Sequence, residues 1–239
     1  MRMIAFALPF ILGLLIAAPV AAQDVDLELV LLADASGSMS ADEVLFQRQG
    51  YAQAMTDPQV VEAITNTAYG KIAVVYVEWA GNQAVVLDWT FIEGADTAQA
   101  FADALLVPPR QAYGRNAIGA ALLEGKRLIE DNDIDGWRKV IDFSGDSARN
   151  FSGPPIAVGR AEVIAAGITI NGLPIDCRVC SSGATRSDLA QVYEDQIIGG
   201  LGAFVVAAQT AEDLSAAIKR KLILEISSYT IGAPRVAGR

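Results

Sequence analysis

Short apolar runs alternate with amphipathic segments along nearly the whole chain. Runs that favour extended backbone predict strands at 25–34, 71–80, 83–92, 137–144, 168–175 and 203–209. Apolar residues at helical spacing predict helices at 41–55, 97–106, 116–130, 155–167, 187–198 and 211–226. The dipeptide Gly81-Asn82 separates two of the strands and predicts a hairpin turn.

This order of elements predicts an α/β fold with a doubly wound, mostly parallel sheet and helices on both faces. The one hairpin indicates a single antiparallel edge strand. In such sheets, ligands bind beyond the carboxyl ends of the strands. Asp34 ends the first strand and Asp146 follows the strand WRKVIDFS. We therefore expect a functional site at that edge.

The first 22 residues have the pattern of a secretory signal peptide. Arg2 precedes an apolar stretch, and small residues precede Gln23. The expected organisation is a signal peptide over 1–22, one domain over 23–226 and a C-terminal tail over 227–239. An uncleaved membrane anchor is the alternative. No later segment is apolar for long enough to span a bilayer, so we expect a periplasmic or secreted protein without stable membrane insertion.

Charge and composition narrow the possible functions. The net charge of −10 disfavours binding to nucleic acid or to anionic lipid. The chain contains no histidine, which excludes Ser-His-Asp and Cys-His catalytic arrangements. It equally excludes zinc or copper bound by imidazole. Any metal must be held by oxygen ligands or by the two cysteines.

The stretch VLLADASGSMSADE carries candidate metal ligands. Asp34, Ser36 and Ser38 alternate, so an extended or looping backbone can direct their oxygens toward one point. Such hard ligands suit Mg²⁺ or Mn²⁺, with Ca²⁺ as a further candidate. The helix beginning near Ser40 adds its positive N-terminal end. The alternative is a simple strand-to-helix turn in which these side chains cap the helix.

The sequence DASGS after an apolar strand resembles the metal-ion-dependent adhesion site (MIDAS) of von Willebrand factor type A domains. The resemblance extends over residues 25–226. Five further segments resemble an uncharacterised bacterial exported branch of that superfamily: YVEW, VIDFSGD, GITINGLPI, IIGGLGAFV and AIKRKL.

The resemblance implies a six-stranded sheet, parallel at its centre, with a divalent ion at one edge. It implies that Ser36 and Ser38 bind the ion directly. It also implies that Asp34 and Asp146 bind it directly or through water. A carboxylate from a protein partner would complete the coordination.

The chain departs from the family pattern at two positions. Asn116 stands where a threonine usually supplies a third hydroxyl ligand, and its amide oxygen is the candidate replacement. Ser147 stands where a glycine usually follows the second aspartate. Arg115, next to Asn116, is a candidate partner contact because it could attract a carboxylate.

Two other motifs have less specific interpretations. Residues 131–142 approximate a calcium-binding loop, but the predicted strand would carry Asp142 away from the early aspartates. We therefore interpret the three early aspartates, Asp131, Asp133 and Asp135, as a solvated acidic turn. Cys177 and Cys180 form a candidate local disulfide in an oxidising compartment.

The sequence thus predicts an exported binding module rather than an enzyme. Its expected mechanism is coordination of a partner's carboxylate by a bound divalent cation. The alternatives are a metal-assisted hydrolase, a thiol redox protein using Cys177 and Cys180, and a structural domain with a degenerate metal site.

Overall fold

A five-stranded sheet forms the centre of the molecule in the computed structural model, which describes residues 23–175 and 188–227. The strands are β1 (Gln23–Asp34), β2 (Ile72–Trp79), β3 (Gln83–Ile92), β4 (Ile134–Gly145) and β5 (Thr169–Pro174). The helices are α1 (Ala41–Met55), α2 (Pro58–Thr65), α3 (Ala95–Leu105), α4 (Ile118–Glu130), α5 (Ile156–Ala165), α6 (Leu189–Gln196) and α7 (Ala211–Ser227).

The strand order is β3-β2-β1-β4-β5; the pair β2–β3 is antiparallel, and the other three strand pairs are parallel. The predicted fold class and the antiparallel edge strand are therefore confirmed. Helix α2 was not predicted. Its start signal is local, because Asp57 caps the helix by accepting from the Gln59 amide and Pro58 occupies the first turn.

The sixth strand predicted at 203–209 is not a continuous strand. Val205 and Ala208 form isolated parallel bridges with Gly172 and Ile175 beside β5. The amides of Val206 and Ala208 still donate to carbonyls of β5, both at 3.0 Å. Pro174 has no N–H to donate, so the ladder is interrupted after Gly172. The expected six-stranded sheet is corrected to five strands with this irregular segment at its edge.

β1 is buried on both faces, which explains its nearly uninterrupted apolar sequence. Leu29 and Leu31 pack in the core on one side, whereas Val30 and Leu32 pack in the core on the other. The first core includes residues of α1, α2, α3 and α7, and the second includes residues of α4, α5 and α6. This arrangement holds the end of β1 rigidly between two helical layers.

A group of ionisable side chains is buried between β4 and α7. Lys221 Nζ lies 2.7 Å from Asp142 Oδ1 and 2.5 Å from Glu225 Oε1, and all three side chains are buried. Tyr51 donates to Asp142 at 3.4 Å and Asn171 donates to Glu225 at 3.0 Å. The second oxygen of each carboxylate lacks a hydrogen-bond partner among the described residues. One buried lysine therefore forms ion pairs with two buried carboxylates.

This group predicts an unusual pH dependence of stability. Burial raises the pKa of Glu225 from 4.5 to about 7, with Lys221 opposing and Asp142 adding to the rise. The folded state then binds more protons than the unfolded state between these values, so stability should fall as the pH rises from about 4.5 to about 7. Relative to Glu225→Gln, the wild-type protein should lose on the order of 2–3 kcal/mol across this range. Urea denaturation at pH 5 and 7.5 measures the difference, and parallel pH profiles for the two proteins would contradict it.

Candidate metal centre

Two aspartates lie at the same edge of the sheet because their strands are parallel neighbours. Asp34 is the last residue of β1, and Asp146 directly follows β4. The two strands pair with Leu32 opposite Phe143. The Asp146 amide donates to Asp34 Oδ2 at 3.3 Å. The topology thus brings together two carboxylates that are far apart in sequence.

The serines of the loop after β1 extend this pair into a continuous group of oxygens. The Ser36 amide donates to Asp34 Oδ1 at 2.7 Å. Ser36 Oγ lies 3.1 Å from Ser38 Oγ, which donates to Asp146 Oδ1 at 3.0 Å. Four of the predicted ligands therefore form one hydrogen-bonded group, which we call the serine–aspartate group.

The spacing within the serine–aspartate group fits a small octahedral cation. Magnesium ligands lie about 2.0–2.1 Å from the ion, so adjacent ligands of an octahedron are about 2.9 Å apart. The two distances from Ser38 Oγ, 3.1 Å to Ser36 Oγ and 3.0 Å to Asp146 Oδ1, are close to that value. Among the described residues, no group of three or more Asp, Glu, His or Cys side chains could hold a metal ion. A cation at this edge would therefore need oxygen ligands besides the two aspartates, and the serine hydroxyls have the required spacing.

The electrostatics of the group also favour a cation. Burial, reinforced by the Asp146 charge, raises the pKa of Asp34 to about 7. Burial likewise raises the pKa of Asp146. Two adjacent carboxylates repel each other when both are ionised. A divalent ion would compensate both charges, so the residues present fit such an ion.

Asn116 follows, by two residues, the point at which the loop before α4 contacts the loop after β1. The Gly37 amide donates to Gly114 O at 2.8 Å, which places the loop before α4 against the loop after β1. Asn116 is buried, and its backbone carbonyl accepts from the Phe151 amide at 2.8 Å. Within the described part of the chain, no hydrogen bond joins its side-chain amide to the serine–aspartate group. Its role as a ligand stays a prediction.

Two of the three other features noted in the sequence, Arg115 and Ser147, lie among the described residues. Arg115 is exposed, and its guanidinium stacks over the exposed ring of Phe151 at 4.1 Å. Ser147 needs no unusual backbone, because no non-glycine residue among those described has a positive φ. Cys177 and Cys180 lie outside the described residues.

The structure adds a buried support that sequence spacing did not predict. Gln47 Nε2, on α1, donates to Asp34 O at 2.9 Å. Its other side-chain atom, Oε1, accepts from Ser144 Oγ at 2.8 Å. Gln47 thus links the ends of β1 and β4 from within the helical layer. A polar residue at a core position of α1 was the only sequence signal for this role.

Two aromatic side chains fix the backbone before Asp146. Trp79 Nε1 donates to Ser144 O at 3.0 Å, and the Tyr193 hydroxyl donates to Gly145 O at 2.9 Å. A Cβ atom on Gly145 would lie 2.8 Å from both Asp34 Oδ2 and Trp79 Cζ2. Glycine is therefore required here because the two strand ends and the indole approach so closely.

A buried ion pair ties down the loop that leads to Asn116. Arg48 donates to Glu78 Oε1 from Nε and Nη2, at 3.0 and 2.6 Å. Glu78 Oε2 accepts from the amides of Gln111 and Ala112, at 2.6 and 3.3 Å. Arg48 Nη2 also donates to Pro109 O at 3.1 Å. We call residues 108–114 the strap, because these contacts hold them across the end of β2.

Comparison with solved structures identifies the fold as that of von Willebrand factor type A domains. The pilus adhesin SpaC from Lactobacillus rhamnosus GG, in its open conformation, has a TM-score of 0.59 and 14% identity, covering 89% of this chain and 31% of the adhesin. A von Willebrand factor type A structure from Catenulispora acidiphila has a TM-score of 0.59 and 13% identity, covering 85% and 43%. Proximal thread matrix protein 1 from the mussel byssus, with a zinc-occupied MIDAS motif, has a TM-score of 0.56 and 15% identity, covering 86% and 49%. The chain spans less than half the length of each.

Comparison with curated protein sequences gave no significant match. No helix in residues 23–175 and 188–227 has the length and apolar composition needed to cross a membrane. The family model described as "Protein of unknown function (DUF1194)" matches residues 24–230. Because this match covers most of the chain, the protein belongs to the DUF1194 family, and its fold is that of a von Willebrand factor type A domain.

Proposed function

We propose that the protein is an exported binding module that holds one Mg²⁺ or Mn²⁺ ion and uses it to bind a carboxylate of a protein partner. The observation that carries this proposal is the serine–aspartate group, whose hydroxyl and carboxylate oxygens have the spacing of octahedral ligands. In this proposal Ser36 and Ser38 bind the ion, and Asp34 and Asp146 bind it directly or through water. Asn116 is a further candidate ligand, and Ca²⁺ a further candidate ion.

The exposure of the group supports access by a partner. Ser38 and Gly37 are exposed, whereas Asp34 and Ser36 are buried. An ion held here would thus be bound by the protein on one side and open to solvent on the other. The chain carries a net charge of −10, but the charges of the two aspartates and of a divalent ion would sum to zero at the site. A carboxylate could therefore bind at this point. Arg115, which follows Gly114 at the contact between the two loops, is the candidate residue to attract it.

The site supports coordination better than catalysis. With no histidine in the chain, a serine nucleophile would need another base. The buried Ser144 hydroxyl contacts Gln47 Oε1 and Leu32 O, at 2.8 and 3.2 Å, and so serves the packing of the strand ends. We therefore propose a non-enzymatic role.

Replacing Ser38 with alanine should weaken Mg²⁺ and Mn²⁺ binding at least about tenfold, the loss that even outer-shell changes at metal sites produce. Ser38 is exposed, so the free energy of unfolding should change little. Calorimetric titration measures the affinity. Ser152→Ala is the matched control, because it removes an exposed hydroxyl on a nearby loop without touching the serine–aspartate group.

The partner's chemistry can be tested with acetate as the probe. Acetate should displace a metal-bound water from the Mn²⁺-loaded protein, which lowers the relaxation rate of bulk water protons. Ser38→Ala should abolish this effect, and Ser152→Ala should retain it. Equal metal affinity in the wild-type and Ser38→Ala proteins would contradict the assigned site. A water-proton relaxation rate that acetate does not change in the Mn²⁺-loaded protein would contradict carboxylate binding.

A further inference from the structure

Arg110 binds the backbone of the metal-binding loop from the side of the strap. Its Nη2 donates to Ala35 O and, at 3.1 Å, to Ser36 O. Its Nη1 donates to Met39 O at 3.0 Å. Its Nε donates to Ala112 O, within the strap, at 2.9 Å. One guanidinium thus contacts three carbonyls of the loop that carries Ser36 and Ser38.

These contacts orient the amides of the loop. A trans peptide group is planar, so its carbonyl and its N–H point in opposite directions. With the Ala35 carbonyl directed at Arg110, the Ser36 N–H points away from it, toward Asp34 Oδ1. With the Ser36 carbonyl also directed at Arg110, the Gly37 N–H points to Gly114 O at 2.8 Å. Arg110 therefore determines which side of the loop presents donors and which presents acceptors.

Arg110 is itself held in place. The Tyr113 hydroxyl donates to Arg110 O at 2.7 Å, and the guanidinium lies 5.1 Å from the Tyr113 ring centroid. The preceding residue, Pro109, and the following Gln111 are both bound by the Arg48–Glu78 pair. Little side-chain entropy remains to be lost when Arg110 binds the loop.

We propose that Arg110 is a positioning residue for the cation site: it holds the loop after β1 in the conformation that groups Ser36, Ser38 and Asp146. This inference rests on the proposed function. Arg110 can affect metal affinity in two opposite ways. A guanidinium near a cation is repulsive, so through its charge alone Arg110 would weaken metal binding. Through positioning, it strengthens binding.

The test compares Mg²⁺ affinity in Arg110→Met, Arg110→Lys and Arg149→Met, by calorimetry. Arg110→Met should raise the Kd about 10- to 100-fold, as loss of an outer-shell contact does. Arg110→Lys should raise the Kd less, because one ammonium can still bind some of the three carbonyls although it cannot span them all. This variant replaces Arg110→Met in the test if Arg110→Met fails to fold. Arg149→Met removes an exposed charge from the loop after β4 and should leave the Kd unchanged or slightly lower.

Hydrogen exchange of the metal-free protein provides the second measurement. The amides of Ser36 and Gly37 should exchange at least tenfold faster in Arg110→Met, while the amide of Ile141 in β4 keeps its rate. Uniformly faster exchange would indicate a general loss of stability and overturn the inference. An unchanged or lower Kd in Arg110→Met would also overturn it while leaving the proposed function intact. Absence of metal binding by the wild-type protein would instead overturn the proposed function, and the inference with it.

Discussion

Replacing Lys221 with methionine is expected to lower the free energy of unfolding at pH 7 by about 3–5 kcal/mol, because it leaves two buried carboxylates without their cation. Lys221, Asp142 and Glu225 are all buried, so water cannot replace the lost ammonium. Methionine retains the length and much of the packing of the lysine stem, which limits the change to the charge. Urea denaturation of the two proteins measures the difference.

Lys219→Met is the matched control on the same helix. Lys219 pairs with Asp57 at 2.8 Å, and these two side chains are 30% and 26% exposed, whereas Lys221 is fully buried. A partly solvated pair of this kind contributes about 0–1 kcal/mol. At pH 5, the penalty in Lys221→Met should shrink, because burial raises the pKa of both Asp142 and Glu225 and they can accept protons. Equal losses in the two variants would show that the buried group contributes no more than a surface pair.

Replacing Glu78 with glutamine should also lower the free energy of unfolding by about 3–5 kcal/mol, since Arg48 would keep a buried charge without its partner. Glu78 is fully buried and accepts from four N–H groups. A glutamine amide supplies an NH₂ group where an acceptor is needed, so it would face some of these donors with donors of its own. The loss should be local as well as global, because two of the donors are strap amides.

Chemical denaturation measures the stability of Glu78→Gln, and hydrogen exchange of the Gln111 and Ala112 amides measures the order of the strap. Glu130→Gln is the control, because Glu130 forms an exposed i,i+4 pair with Lys126 at 2.7 Å. That substitution should leave the free energy of unfolding nearly unchanged, because solvent screens an exposed pair. Protected strap amides in Glu78→Gln would mean that other contacts hold the strap.

The sequence predicts elements whose signals are local. The Gly81-Asn82 hairpin and the amphipathic helices need no knowledge of distant partners, and the structure confirms them. The position of Asp34 beside Asp146 was also predictable, because parallel strands place their carboxyl ends at one edge. The strand predicted at 203–209 is interrupted because its neighbour Pro174 has no N–H to donate. Pro174 lies in a different segment, so the pattern of residues 203–209 could not reveal this interruption.

The supports of the site could not be predicted in this way. Arg110 and Glu78 act through contacts with residues far away in sequence, and periodicity gives no pairing between distant loops. Lys221 is buried in α7 together with Glu225, whereas Asp213 and Arg220 of the same helix are exposed. The burial of Lys221 is tied to Asp142 of β4, which the helical pattern of α7 cannot show. Asp142 lies in β4 as predicted, but its ion pair with Lys221 was not predicted. In each case the decisive partner comes from another layer of the fold.

The central position of β1 affects how the chain reaches this structure. Leu29 pairs with Val74 on one side and with Val140, far later in the chain, on the other. Both pairings are parallel and need long crossover connections. The chain therefore loses loop-closure entropy before the strand contacts can stabilise it. Until β4 is available, the first strand of the domain exposes an apolar edge that can pair with other chains. From this topology we expect the strand that carries Asp34 to complete its pairing late in folding.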